Sequence, residues 1–290
     1  MYTAKQFYDH FQVNYFDYKQ SNNEFLLSRS SKAMEKLCKD IVGYDEKSYK
    51  RAIKIDVRLT YLMAVDTLFE LVFALLPDKK GNLRDKEIVS TLSSGKQYYS
   101  ELREYVNNRE SRFDILKDQV NYTGGKSCTA LRYIFYDGLF ETEHEKEIVE
   151  SVDAISEALK FFGKEINENR DELNAYKHGL RVVPFFNTMS FKDPKTGKGL
   201  EIDMSESISF LTENKSERTI HAKPLDYKKD IALTIYVTHL INNIIALRQR
   251  QLTTAKNFQT SISALKKTSL DEARKSNIQM GNFKLNLPIA

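Results

Sequence analysis

A polar run just beyond the middle of the chain concentrates side chains that can transfer protons or bind phosphate. Its candidate catalytic residues are Arg170, Asp171, Asn174, Lys177, His178 and Arg181. A histidine can transfer a proton near neutral pH, and an arginine or lysine can stabilise the negative charge that grows on a pentacoordinate phosphate. Because these steps need no metal ion, the run is suited to metal-independent cleavage of a phosphodiester.

These residues lie near the end of a predicted helix that begins at a capping box in residues 142–145 and ends before residue 179. Its apolar positions recur mostly every third or fourth residue and are Ile148, Val152, Ile155, Leu159, Phe162, Ile166 and Leu173. At about 100° per residue, Arg170, Asn174 and Lys177 fall on or beside this apolar arc. Burying them without partners costs about 1 to 3 kcal/mol each. We therefore expect them to line a cleft, meet an acidic helix or face a second subunit.

The same residues carry a resemblance to a known family. Arg170 is followed by the polar Asp171 and, near the helix end, by His178, which resembles the motif of the HEPN superfamily of helical-bundle proteins. The segment 174–179 is also similar to one in uncharacterised bacterial helical proteins of that general kind. The resemblance implies a dimeric endoribonuclease, in which Arg170 and Asp171 form the Arg-polar pair and His178 is the acid or base acting on the RNA 2′-hydroxyl and scissile phosphate. It also implies a toxin or phage-defence effector, with an antitoxin as one kind of protein partner.

The resemblance covers about residues 169–181 and departs from the family pattern in one respect. Seven residues separate Arg170 from His178, more than the family motif has. Asn174 or Arg181 is therefore an alternative residue at the catalytic position of the motif.

A structural interpretation of the same run stays open. Lys177 and His178 precede Gly179, and basic residues followed by glycine also stabilise a helix C-terminus. Arg170 and Asn174 would then pair with acidic side chains. The corresponding alternative function is a catalytically inert helical module that binds a protein partner or acts as a scaffold. An oligonucleotide-binding regulator is disfavoured because no predicted helix has a dense basic face.

Composition restricts the class of protein further. The net charge is only +4, with 41% hydrophobic and 29% charged residues, as in an ordinary folded domain. The two cysteines, Cys38 and Cys128, have no metal-ligand spacing, so we expect neither a disulfide, a metal nor a cofactor. The N-terminus lacks the basic start and apolar run of a secretory signal. A cytoplasmic protein without a membrane span is expected.

The predicted architecture is mainly α. Three long helices, over residues 48–76, 142–178 and 226–254, form a helical bundle, and a β-hairpin insertion at about residues 181–222 joins the last two. Residues 1–255 are expected to form a single domain. Residues 256–290 form a polar C-terminal tail, either mobile or pairing as an edge strand near its end.

Overall fold

The fold is described here from a computed structural model. The described residues are 2–94, 98–122, 126–137, 144–177, 188–192, 196, 199–203, 206–213, 217–252, 261–275 and 283–288. Within these ranges the α-helices are α1 (Ala4–His10), α2 (Tyr15–Leu27), α3 (Ser31–Leu37), α4 (Glu46–Leu75), α5 (Ile88–Ser93), α6 (Tyr98–Val106), α7 (Ala130–Tyr136), α8 (Glu145–Glu168), α9 (Arg170–Lys177), α10 (Tyr227–Leu252) and α11 (Lys267–Ala273). Short 3-10 helices span Asp85–Glu87 and Arg112–Lys117. The protein is therefore mainly α, as predicted.

The strands form small antiparallel sheets. They are β1 (Gln119–Tyr122), β2 (Lys126–Thr129), β3 (Thr188–Lys192), β4 (Gly199–Asp203), β5 (Ser207–Glu213), β6 (Glu217–Pro224) and β7 (Phe283–Pro288). β1 pairs with β2, β3 with β4, and β6 lies between β5 and β7. The late β excursion is confirmed. The hairpin of β1 and β2 was not predicted, and the last strand takes the edge position that was one of two alternatives for the tail.

Of the three predicted long helices, two are confirmed and one is interrupted. α4 and α10 match the helices expected over residues 48–76 and 226–254. The helix expected over 142–178 is wrong as a single element, because α8 ends at Glu168 and α9 begins at Arg170.

The Cα positions cluster into two compact units. The first comprises Met1–Asp17, Met63–Glu168 and Ala232–Arg274, and the second comprises Tyr18–Leu62, Asn169–Ile231 and Lys275–Ala290. This clustering does not test whether residues 1–255 behave as one domain, which stays a prediction. α9 and most residues of the polar run that the structure describes belong to the second unit.

The first unit has a core of buried apolar helix faces. On α8, Ile155, Leu159 and Phe162 are fully buried. Arg248 on α10 is also fully buried, and its Nε donates to Asp85 Oδ1 at 2.9 Å. α10 is, within the described part of the chain, the one helix long and apolar enough to cross a membrane by length and composition, and 78% of its apolar window is buried inside the protein. A core helix has the same properties.

In the second unit, α4 and α9 contact β5 of the three-stranded sheet. Ile55, Ile208 and Leu225 form a buried apolar cluster, against which Tyr176 of α9 packs. Arg51 Nε donates to the backbone oxygen of Ser207 at 2.9 Å, which joins α4 to the start of β5. These contacts hold the region of the second unit in which α9 lies.

A close contact between α6 and α8 gives a test of packing in the first unit. A Cβ atom on Gly163 would lie 2.6 Å from Val106 Cγ1 and 3.1 Å from Leu102 Cδ1. We expect Gly163→Ala to destabilise the protein by about 1 to 3 kcal/mol, because this overpacking outweighs the gain in helix propensity. Urea denaturation measures the change, with the exposed Lys164→Ala as the control on the same helix. A Gly163→Ala variant as stable as the wild type would contradict the close contact.

Candidate active site on helix α9

α9 is a short helix with a polar sequence and one buried side. Its first turn carries Asp171 and Glu172, and its last turn carries Lys177, so the charges complement the helix dipole. The backbone N–H of Leu173 donates to the carbonyl of Asn169 at 3.0 Å, which begins the helical hydrogen bonding. A helix of this length is not stable alone, so tertiary contacts must hold it.

The burial pattern defines which side of α9 faces the protein interior. Arg170, Asp171 and Lys177 are exposed, and Asn174 is half-buried. Arg170, Asn174 and Lys177 were expected on or beside the apolar arc, and the exposure of Arg170 and Lys177 places these two residues beside it. Arg170, Asn174 and Lys177 still share one face, at positions i, i+4 and i+7, and this face points away from the buried side. We call it the outer face of α9.

The buried side of α9 contains a carboxylate that the sequence analysis did not single out. Glu172 is 1% exposed and lies beside the buried Leu173 and Ala175. Its Oε1 accepts from Arg58 Nε at 3.1 Å, and its Oε2 accepts from Lys223 Nζ at 3.2 Å. Glu172 thus joins α9 to α4 and to β6 inside the second unit.

Two further groups complete this buried network. Arg58 Nη1 donates to Asp230 Oδ1 at 2.9 Å, and Lys223 Nζ also donates to the side-chain oxygen of Asn169. The network therefore holds two cations, Arg58 and Lys223, and two carboxylates, Glu172 and Asp230. Its formal charges cancel, so the network neutralises the charge that it buries.

The electrostatics of Glu172 follow from burial and from its partners. Burial by itself raises the pKa of a carboxyl group, but the charges of Arg58 and Lys223 and their hydrogen bonds outweigh it and lower the pKa of Glu172 below its ordinary value of 4.5. Glu172 is therefore ionised at neutral pH. Burial also raises the pKa of Tyr176, which keeps this phenol protonated.

Only part of the predicted site lies within the described residues. α9 brings Arg170, Asn174 and Lys177 together on its outer face, with Asp171 exposed at the edge of that face. His178 and Arg181 lie outside the described residues. No group of three or more His, Cys, Asp or Glu side chains suited to a metal ion occurs in the described ranges.

The residues that hold α9 were missed because they are far apart in the chain. One local signal exists for Glu172, since it lies three positions before Ala175 and so shares the side of the helix on which Ala175 lies. Nothing local indicates that Arg58 and Lys223 are its partners.

Comparison of the chain with known protein families, curated proteins and solved structures finds no match.

The buried network predicts a pH-dependent stability. Glu172→Ala leaves the cations of Arg58 and Lys223 without this carboxylate, so we expect a loss of about 3 to 5 kcal/mol in the free energy of unfolding at neutral pH. The pKa of Glu172 is lower in the folded state than in the unfolded state. The contribution of Glu172 to the free energy of unfolding is therefore fully present above its unfolded-state pKa and is lost as pH falls through its folded-state pKa. The difference from the wild type should therefore shrink below about pH 4.

Urea denaturation between about pH 3 and pH 7 measures this difference. Asp171→Asn is the matched control, since it removes an exposed carboxylate from the adjacent position. We expect it to change stability by no more than about 0.5 to 1 kcal/mol. Equal stability losses in the two variants, or a Glu172→Ala loss that is constant with pH, would refute the network as the anchor of α9.

Proposed function

We propose that the protein is a HEPN-like, metal-independent endoribonuclease that acts at the outer face of α9. The observation that carries this proposal is that Arg170, Asn174 and Lys177 share the outward-facing side of a helix whose other side is fixed by the buried network around Glu172. His178 is the next residue in the chain. A fixed helix presenting cationic and amide groups beside a histidine can orient a phosphodiester for attack.

The proposed reaction uses the RNA 2′-hydroxyl as the nucleophile. His178 accepts the proton of this hydroxyl, the 2′-oxygen forms a bond to phosphorus, and the bond from phosphorus to the 5′-oxygen breaks. The leaving oxygen takes a proton from an acid, which is the histidine of a second protomer or solvent. The products are a 2′,3′-cyclic phosphate and a 5′-hydroxyl end. The proton balance of this step is therefore complete without a metal ion.

The other residues of the run have electrostatic and orienting roles in this proposal. Arg170 and Lys177 lie against the phosphate and stabilise its added negative charge, and the Asn174 amide donates to a non-bridging oxygen. Asp171 is the polar member of the Arg-polar pair. Arg181 is a further phosphate ligand, or it takes the catalytic position of the motif, since the spacing between Arg170 and His178 is longer than in the family.

The biological setting is part of the same proposal. A HEPN-like ribonuclease acts as a homodimer, so we propose that two copies of this chain bring their α9 helices to one RNA. We further propose a cytoplasmic toxin or phage-defence effector, controlled by a protein partner such as an antitoxin. The resemblance of residues 169–181 supports this setting.

A nuclease assay tests the proposal. Purified protein is incubated with RNA in the presence and absence of EDTA, and cleavage that persists in EDTA with 2′,3′-cyclic phosphate ends is expected. We expect His178→Ala to lower the cleavage rate by about 100- to 10,000-fold, the range for loss of a general acid or base.

His144→Ala is the matched control, because His144 is an exposed histidine at the start of α8 in the first unit. Both variants should keep the circular dichroism spectrum of the wild type. If His178→Ala cleaves as fast as His144→Ala, or if no cleavage products form, the ribonuclease proposal is wrong.

A second candidate function, a catalytically inert helical interaction module, is supported by a different observation. Large apolar side chains are exposed in residues 18–42 of the second unit. They are Tyr18 at 70%, Phe25 at 52%, Leu37 at 59%, Ile41 at 50% and Val42 at 101% exposure. Single exposed apolar residues are common, whereas a contiguous apolar patch is typical of an interaction site, and we propose that these five side chains contribute to one patch. We name a second copy of this chain as the partner, consistent with a homodimer.

Self-association through this surface is measured by sedimentation velocity. We expect wild-type protein to dimerise and Leu37→Ser with Val42→Ser to shift it to the monomer, because the exchange removes apolar area from the interface. Val149→Ser, which changes an exposed valine of α8, is the control. Equal dimerisation of the double variant and the control, or a monomeric wild type, would rule out this surface as a dimer interface.

A further inference from the structure

A cavity in the first unit is separate from α9 and from the proposed ribonuclease. It has a volume of about 540 Å³ and lies between α10, the segment 261–265 and α11. This volume is within the range of small-molecule sites. Ile235, Leu265 and Ala273 give it an apolar wall, and His239 and Glu272 contribute polar groups. The cavity can therefore hold the body of a small amphipathic molecule.

Tyr236 is the polar group of this cavity that lacks a partner. The residue lines the cavity, is only 4% exposed, and its hydroxyl has no hydrogen-bond partner among the described residues. Most buried hydroxyl groups in folded proteins form a hydrogen bond, so an unbonded hydroxyl in a cavity wall favours a ligand that bonds to it. Burial raises the pKa of Tyr236, which keeps the phenol protonated and able to donate.

The wall formed by the segment 261–265 is held in place by several hydrogen bonds. The Asn243 side chain accepts from the backbone N–H of Ser263 at 2.9 Å and donates to its carbonyl at 2.8 Å. The Tyr136 hydroxyl donates to the same carbonyl at 3.0 Å, and Ser263 Oγ lies 3.0 Å from His239 Nδ1. The N–H of Leu265 donates to Ser151 Oγ at 2.8 Å.

The α11 side of the cavity is held by ion pairs. Lys267 Nζ lies 2.8 Å from Glu157 Oε2, and Arg274 Nη1 lies 3.3 Å from Glu157 Oε1. These pairs join α11 to α8. Together with the hydrogen bonds of Ser263, they define a cavity whose walls are formed before any ligand binds, which lowers the entropy loss on binding.

The charge at the cavity selects among small molecules. Glu272 is exposed and lines the cavity, so its carboxylate attracts a cationic group and repels an anionic one. The ligand that fits has an apolar body for Ile235 and Leu265, a hydrogen-bonding group for Tyr236 and a positive charge for Glu272. We propose that this cavity binds a small amphipathic alkylamine, with its polar group bonded to the Tyr236 hydroxyl and its ammonium group facing Glu272.

Three probes of one skeleton test the proposal in the full-length chain. Tyramine, tyrosol and 4-hydroxyphenylacetate carry the same phenol and a two-carbon side chain that ends in a cation, a neutral hydroxyl and an anion. Isothermal titration calorimetry or ligand-observed NMR gives their affinities. We expect tyramine to bind most tightly and 4-hydroxyphenylacetate most weakly, with up to about a fivefold difference for each unit of charge.

Two variants assign the binding to this cavity. Glu272→Gln should make the affinities of tyramine and tyrosol nearly equal, because the attraction for the ammonium group is lost. Tyr236→Phe should weaken both probes by about two- to tenfold through the lost hydrogen bond. Its unliganded melting temperature should not fall, since the hydroxyl has no partner in the protein. Tyr15→Phe, a change at an exposed tyrosine of the same unit, is the control.

Several results would overturn the inference. One is that no probe binds at about 10 mM. Another is that Tyr236→Phe and Tyr15→Phe bind the probes with the same affinities. A third is that 4-hydroxyphenylacetate binds most tightly and Glu272→Gln does not change this preference. A lower melting temperature of unliganded Tyr236→Phe without probe binding would show that the hydroxyl bonds ordered water only. None of these outcomes bears on RNA cleavage, which is measured through other residues.

Discussion

The second unit depends on the neutralisation of one buried carboxylate. Glu172 is almost completely removed from solvent, and an isolated charge in that position would be strongly unfavourable. Arg58 and Lys223 compensate it with hydrogen bonds to both carboxylate oxygens, and Asp230, which accepts from Arg58, balances the second positive charge of the network. Buried ion pairs contribute more to a defined geometry than to net stability. Here they fix which side of α9 faces inwards.

That constraint is what gives the outer face of α9 its chemical interest. A short helix could rotate about its axis if only Leu173 and Ala175 held it, since apolar contacts are not directional. The bonds of Glu172 remove this freedom, and Arg170, Asn174 and Lys177 therefore have defined positions on the exposed side. Preorganised donors are effective in stabilising a transition state because they need no rearrangement during the reaction. The anchoring residue Glu172 thus lies on the buried side of α9, and the proposed reacting residues lie on its outer face.

In the first unit, neutral hydrogen bonds hold the segment 261–265 in place, as the buried ion pairs hold α9 in the second unit. Asn243 satisfies both backbone groups of Ser263, and this keeps a segment without regular secondary structure in a fixed position beside α10. Tyr236 lines the cavity next to this segment, and its buried hydroxyl has no hydrogen-bond partner among the described residues. An unpaired donor in the wall of a formed cavity is a group that a ligand can satisfy.

The sequence by itself determined the elements whose signals are local. α4 and α10 follow from their long apolar composition, and β4, β5 and β6 lie at about the place of the predicted β-hairpin insertion. The sequence also located the polar run, since residue types and spacing are visible without a structure. The break at Asn169 was not visible, because the apolar repeat of α8 continues through it to Leu173.

Only the tertiary structure decided the orientation of α9 and the groups that hold it. Arg58, Glu172, Lys223 and Asp230 come from four separate elements, and no local pattern relates them. The cavity beside Tyr236 is likewise formed by segments that are distant in the chain. Helix periodicity gives the phase of a side chain relative to its own neighbours, whereas its burial depends on which distant charges and surfaces the fold brings against it.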